Sequence, residues 1–311
     1  MMLIVPNGLV PEKQQQLFLH PALLAWQKAL INYRQQWFTC SDKNPLAWYA
    51  ALAGISPALL LAAECEALPD DMQQCWVASP YCGQLVRHHV RVLPEGQFPW
   101  CAEDARDLCH VLNPLLAADG MQMFAVGAAL LLACREPVEA CPAGFGAISG
   151  QLLPDRHHEG ADGGRLNRLL SEIQMLLFQS PITSRLEQGL PEVNGIWLWA
   201  PTAISQQSEL TMNRQQIAVA TRNPALQSVA DATDATDIIS EAERLSELLK
   251  PDAPLPKCIV LAGGGHAVYL SRSILPHFGK RSWQPKSSRD EQTLLSKLRS
   301  TLHISVDKEP N

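Results

Sequence analysis

The run Gly263-Gly264-Gly265-His266 follows the apolar stretch Cys258 to Ala262 and is the residue set whose types and spacing most suggest ligand chemistry. Glycines between a strand and a helix let backbone N–H groups approach an anion, and the helix N-terminus adds positive potential. His266 and Arg272 could assist there. The run is neither GxGxxG nor GxxxxGK[ST], so a tight strand-to-helix turn is the competing explanation. A second set is Glu172, Arg185 and Asn194. A guanidinium grips a phosphate or carboxylate through two parallel hydrogen bonds, which makes Arg185 with Asn194 a candidate anion clamp. The structural alternative has Glu172 pairing with Arg185 to pin a helix to a turn, while Asn194 caps backbone groups.

Other candidates are weaker. His88-His89 and His157-His158 are metal-ligand types, but adjacent strand residues point to opposite faces, so each pair offers one inward ligand at most. Asp155, Glu159 and Asp162 share the second loop, without the HExxH spacing of a zinc helix. Ser149 lies in G-A-I-S-G, which is not GxSxG. The nine cysteines show no CxxC pair and read as small core residues in a reducing compartment. No metal site and no cofactor are expected from these patterns.

The elements that must hold Glu172, Arg185 and Asn194 lie in Arg165 to Trp199. Leu166, Leu169, Leu170, Ile173, Leu176 and Leu177 recur with helical period and predict one buried face. Asp162 stands where it can cap the helix, and Pro181 ends it. Gly189 and Pro191 mark a turn, and Val193 to Trp199 predicts a strand.

Within that stretch, Glu172-Ile173-Gln174-Met175-Leu176-Leu177, then Arg185, Gly189-Leu190-Pro191, Val193-Asn194 and Trp197-Leu198-Trp199 resemble a proteobacterial family. Its members are described as RpfE-type regulatory proteins or as cofactor-independent phosphoglycerate mutase-like proteins. Fainter similarity runs back through Leu112-Asn113 and Asp119-Gly120. The resemblance implies a phosphomutase-like scaffold in the C-terminal half. The chain departs from the family pattern at Ser171, at Ser180 to Thr183 and at Ala200 to Thr202, where polar or glycine positions are lost. Metal-dependent phosphomutases also need carboxylates and histidines for two metal ions and a Ser or Thr nucleophile near the first strand. Here the first strand is followed by Pro6-Asn7-Gly8, with no early Asp-Gly-x-Gly-Asp and no late Asp-His-Gly.

The chain has 311 residues, 47% hydrophobic and 18% charged, with a net charge of −6. That fits a folded chain with a substantial core and does not favour nucleic acid as a partner. No apolar run reaches the roughly 18 residues of a membrane span, and no secretory leader is evident, so no membrane partner and a cytoplasmic location are expected.

Further helices are predicted at Pro21 to Phe38, from Pro45 to Gly54 behind the cap Asn44, and over Ala58 to Glu66. Others are predicted at Ala102 to Ala117, Ile238 to Leu249 and His266 to Leu275. Strands are expected at Leu3 to Val5, at Cys75 to Ala78 paired with Leu85 to Leu93, and over Cys258 to Ala262. A hairpin turning near Gly127 and a short strand over Gln216 to Ala220 complete the set. Strands separated by helices predict an α/β fold with a mixed or parallel sheet flanked by helices. The expected organisation is an N-terminal α+β lobe over 1–155, an α/β lobe over 156–278 and a polar segment over 279–311. That last segment holds six basic and two acidic residues between Lys280 and Arg299 and an exposed helix at Arg289 to Leu302.

Together these readings predict a binding or regulatory protein for a small phosphorylated or carboxylated ligand near Arg185, Asn194 and the glycine loop. The alternatives are a phosphoryl-transfer enzyme of the phosphoglycerate mutase type, and a module that docks a protein partner.

Overall fold

The computed structural model describes residues 1–12, 16–30, 33–154, 158–205, 217–230, 235–249, 254–272, 283–285, 287–302 and 304. The chain divides into two compact units, and the division does not fall at residues 155 and 278. One unit comprises Met1–Gly54, Asn213–Asn223 and Ala230–Asn311; the other comprises Ile55–Met212 and Pro224–Val229. The first is assembled from both chain ends because its central strands, Met2–Val5 and Cys258–Gly263, pair with each other.

That unit is built on a seven-stranded mixed sheet. Four neighbouring strands run parallel: Val219–Ala220, Asp237–Ile239, Met2–Val5 and Cys258–Gly263. His266–Arg272 and then Tyr33–Thr39 continue the sheet antiparallel, and Ser288–Arg289 closes it. Leu3, Val5, Ile259, Leu261, Val268 and Leu270 pack on one face against Leu23, Trp26, Leu30 and Leu245. The alternate residues Ile4, Val260, Ala262 and Ala267 are equally buried. A sheet buried on both faces needs apolar residues at every position, which is why these strands read as unbroken apolar runs. Helix Pro45–Ala53 starts as expected, with the Asn44 side chain accepting from Ala47 N at 3.0 Å.

Four expectations for this unit are corrected. Pro21 to Phe38 is not one helix: a 3₁₀ turn, Pro21–Trp26, and one helical turn, Gln27–Leu30, precede the strand Tyr33–Thr39. Ile238 to Leu249 opens as the strand Asp237–Ile239, followed by a 3₁₀ turn and the short helix Leu245–Leu248. His266 begins a strand rather than a helix. The C-terminal helix Glu291–Thr301 is not a free surface helix, because Leu294, Leu295 and Leu298 are buried.

The second unit is a four-stranded antiparallel sheet in the order Gly195–Ala203, Gln74–Tyr81, Ala129–Cys134, Met121–Val126. One face, carrying Trp76, Ala78, Leu130, Leu132, Ile196 and Leu198, packs on helices Ala102–Leu116 and Gly163–Gln179. Leu166, Leu169, Leu170, Ile173 and Leu177 are the buried stripe of the second helix, as their spacing predicts. The expected pairing of Cys75 to Ala78 with Leu85 to Leu93 does not form. Gly83–Val86 and His89–Val92 instead make their own hairpin, and Gln74–Tyr81 pairs with the strand that carries the tryptophans. The hairpin around Gly127 forms as expected.

Among the described residues no single helix is long and apolar enough to cross a membrane. The nine cysteines are free thiols. Burial pushes those of Cys40, Cys75, Cys109 and Cys134 up to about 12, so they are core groups rather than nucleophiles.

Candidate functional site

The residues singled out from sequence belong to different units: Glu172, Arg185 and Asn194 to the second, the glycine run and His266 to the first. Arg185 lies on a short helix, Thr183–Glu187, and is 1% exposed. Its guanidinium donates to Asp104 Oδ2 at 2.8 Å, to Pro99 O at 2.8 Å and to Pro191 O at 2.8 and 3.1 Å. It also stacks over Phe98 and Trp100, at 4.8 and 5.5 Å from the ring centroids. Its partner is therefore Asp104 and not Glu172, which is half-buried and makes no hydrogen bond or ion pair among the described residues.

Asn194 mimics a strand. Its Oδ1 accepts from Gly83 N at 2.6 Å and its Nδ2 donates to Gly83 O at 2.9 Å. These contacts match the backbone-capping alternative rather than an anion clamp.

The glycine run is the turn of a hairpin, not a strand-to-helix junction, which corrects the geometry assumed for anion binding. Gly263, Gly264 and Gly265 all have positive φ, at 145°, 62° and 76°. A Cβ on Gly263 would stand 2.0 Å from Leu9 O, so the chain passes there only without a side chain. The Gly265 N–H donates to Asp42 Oδ1 at 3.0 Å, and the His266 ring nitrogen Nδ1 lies 3.0 Å from Gly264 O. Burial pushes the Asp42 carboxyl up, against the pull of that amide.

Of the histidines weighed above as metal ligands, His88 and His89 fall at the tip of the outlying hairpin. His158 is buried, 5.0 Å from the Trp197 ring, and His157 and Asp155 lie outside the described residues.

A different group of polar residues converges where the four parallel strands end. In open α/β sheets the region beyond the carboxyl ends of parallel strands is the usual ligand position. Asn7 follows Met2–Val5, Thr221 and Asn223 follow Val219–Ala220, and Glu241 and Glu243 follow Asp237–Ile239. Asn7 Oδ1 accepts from Ala242 N at 2.7 Å, and its Nδ2 donates to Glu243 Oε2 at 2.6 Å. His20 accepts from Ala22 N through Nδ1, so its Nε2 carries the proton of the neutral ring and faces Glu243 at 3.4 Å. Burial alone would raise the Glu243 carboxyl, but hydrogen bonds from His20 and Asn7 hold it below the ordinary glutamate range.

Glu241 is the opposite case. It is 3% exposed, one carboxyl oxygen accepts from Asn223 Nδ2, and among the described residues Oε2 has no hydrogen-bond partner. Burial pushes its carboxyl up, with the Arg244 charge opposing. Two adjacent glutamates are thus driven in opposite directions, one toward the ionised and one toward the protonated form. Sequence reading passed over Glu241 because Ile239, Ala242, Leu245 and Leu249 imitate a helical stripe. The usable signal was Pro6-Asn7-Gly8 directly after an apolar strand.

The two-metal centre that a phosphomutase resemblance implies does not fit these residues. The Asn7 oxygen beyond the first strand is already held by Ala242 N, and among the described residues no three His, Cys, Asp or Glu side chains are placed to hold a metal ion.

No protein-family model matches the chain, and no curated protein matches it significantly. Among solved structures, a cofactor-independent phosphoglycerate mutase from Thermoplasma acidophilum DSM 1728 is 12% identical with a TM-score of 0.35. The alignment covers 97% of this chain and 99% of that one. The PH0037 protein from Pyrococcus horikoshii is 8% identical with a TM-score of 0.41, over 99% of this chain and 98% of that one. Neither likeness carries a site residue across.

Proposed function

We propose that this chain is a binding or regulatory protein that holds a small carboxylated or phosphorylated metabolite at the carboxyl ends of its parallel strands. The observation that carries this reading is the Oε2 of buried Glu241, which has no partner among the described residues. A buried polar atom without a partner is costly, and native structures leave few of them. Burial favours the neutral carboxyl, which offers an O–H to an acceptor oxygen. An anionic ligand supplies that acceptor, and the Arg244 guanidinium next to Glu241 favours its charge. Glu243, whose carboxyl is lowered and held by Asn7 and His20, places a negative charge near Glu241 and limits how many negative charges a ligand there can carry.

The ligand class is the one expected from sequence, but the residues differ. Arg185 and Asn194 direct their hydrogen bonds to Asp104, Pro99, Pro191 and Gly83 within the second unit. Among the described residues no donor set for a two-metal phosphoryl transfer stands at the strand ends.

Thermal unfolding of the full chain with 3-phosphoglycerate or malonate, in chelator and then with Mn²⁺ or Mg²⁺, tests the proposal. A native-state ligand at 100 times its Kd adds about 2.7 kcal/mol. Stabilisation by either anion in chelator supports a binding protein. Stabilisation that requires the metal, or none by either anion, overturns it.

A further inference from the structure

We infer that a groove beside the edge strand Met121–Val126 binds a short peptide with free termini. This site lies wholly in the second unit and stands independently of the strand-end site.

The groove measures about 510 Å³ and is lined by residues 122–127 of the strand and turn, by the helix Ala102–Leu116 and by the segment 64–67. That size is ordinary for a small-ligand site, which spans roughly 300–1,000 Å³. The strand is outermost in its sheet. Asn113 on the helix donates to Met123 O at 3.0 Å and accepts from Met123 N at 2.8 Å. The backbone groups of Met123 therefore point away from the partner strand. Residues two apart in an antiparallel ladder point the same way, so the N–H and C=O of Ala125 also face outward. Neither has a hydrogen-bond partner among the described residues.

Such a pair is what an extended peptide engages when it adds to a sheet edge. Asn113 occupies the preceding outward pair, so an added strand must stop there. The edge accepts a short segment, not a long one. The groove also carries charged and titratable side chains, Arg106, His110, Glu64 and Glu66, that can pair with peptide termini. Arg106 and Glu66 both line the groove, both are exposed, and neither makes an ion pair among the described residues. Arg106 suits a terminal carboxylate and Glu66 a terminal ammonium. The Cys109 and Cys65 thiols in the lining are raised by burial and act as neutral surface.

The test is the amide signal of Ala125 in the ¹⁵N-labelled full chain, titrated with a mixture of unblocked tripeptides. A total of ~5 mM fills most of a site with a Kd of about 1 mM. The expected result is a saturable shift at Ala125. A mixture acetylated at the N-terminus and amidated at the C-terminus binds at least tenfold more weakly. Arg106→Gln, an exposed substitution whose unfolding midpoint checks its fold, weakens unblocked peptides about tenfold. An unmoved Ala125 signal, or an equal response to blocked and unblocked peptides, overturns the inference.

Discussion

The Arg185 guanidinium and the Asp104 carboxylate meet at 2.8 Å with side chains 1% and 8% exposed, 81 residues apart in sequence. This pair joins the short helix Thr183–Glu187 to the first turn of Ala102–Leu116, where Asp104 also accepts from Cys101 N at 3.0 Å. Removing one partner leaves the other charged and buried. Arg185→Met or Asp104→Leu alone should destabilise by about 3–5 kcal/mol, while the double substitution should lose much less than the sum. Urea unfolding of the three variants checks this, and 3-phosphoglycerate affinity in the surviving folded protein should be unchanged.

Asn194 should behave as structure as well. Asn194→Leu deprives both backbone groups of Gly83 of their partners, at a loss of about 1–3 kcal/mol. A variant of unaltered stability but weakened anion binding would restore the anion-clamp reading.

Gly263→Ala separates two accounts of the glycine run. With φ at 145° and Leu9 O at 2.0 Å from the added Cβ, the variant should be among the rare substitutions costing about 4 kcal/mol or more. Thermal unfolding reads the loss directly. A ligand-cradling loop with open space would tolerate the methyl group and lose only binding.

The two strand-end glutamates predict opposite pH responses. Glu241 has its carboxyl raised in the folded state, so the folded protein holds that proton above the unfolded glutamate value of roughly 4.3. Stability therefore falls as pH rises from that value through the folded one, and Glu241→Gln should flatten this decline. Glu243 is lowered, so its contribution is present above that value and is lost as pH falls through its folded one. Glu243→Gln should change only the acid limb. Urea midpoints across pH distinguish the two.

How much of this was legible in the sequence depended on burial. Helix Gly163–Gln179 buries one stripe, so its period gave it away, and Asn44 and Gly127 announced a cap and a hairpin turn. Asp237–Ile239 and His266–Arg272 are buried on both faces and show no alternation, while Tyr33–Thr39 buries Tyr33, Trp37 and Phe38 at a spacing that imitates a helix, so all three read as helix. The mixed α/β class survived those errors because enough strands remained visible. The site did not, since Asn7 and Glu243 stand 236 residues apart and meet only through parallel pairing. Arg185 and Asn194 were visible as special residues, but residue type alone does not distinguish a ligand grip from a buried brace.

The most direct measurement of the central claim is calorimetric titration of 3-phosphoglycerate, in chelator, into the native chain and into Glu241→Gln and Glu241→Leu. The account predicts metal-independent binding that weakens as pH rises in the native chain. Glutamine, which keeps a donor, should retain affinity and lose the pH dependence, and leucine should reduce affinity at least tenfold. Binding that is equal in all three proteins, or absent from the native chain, would contradict it.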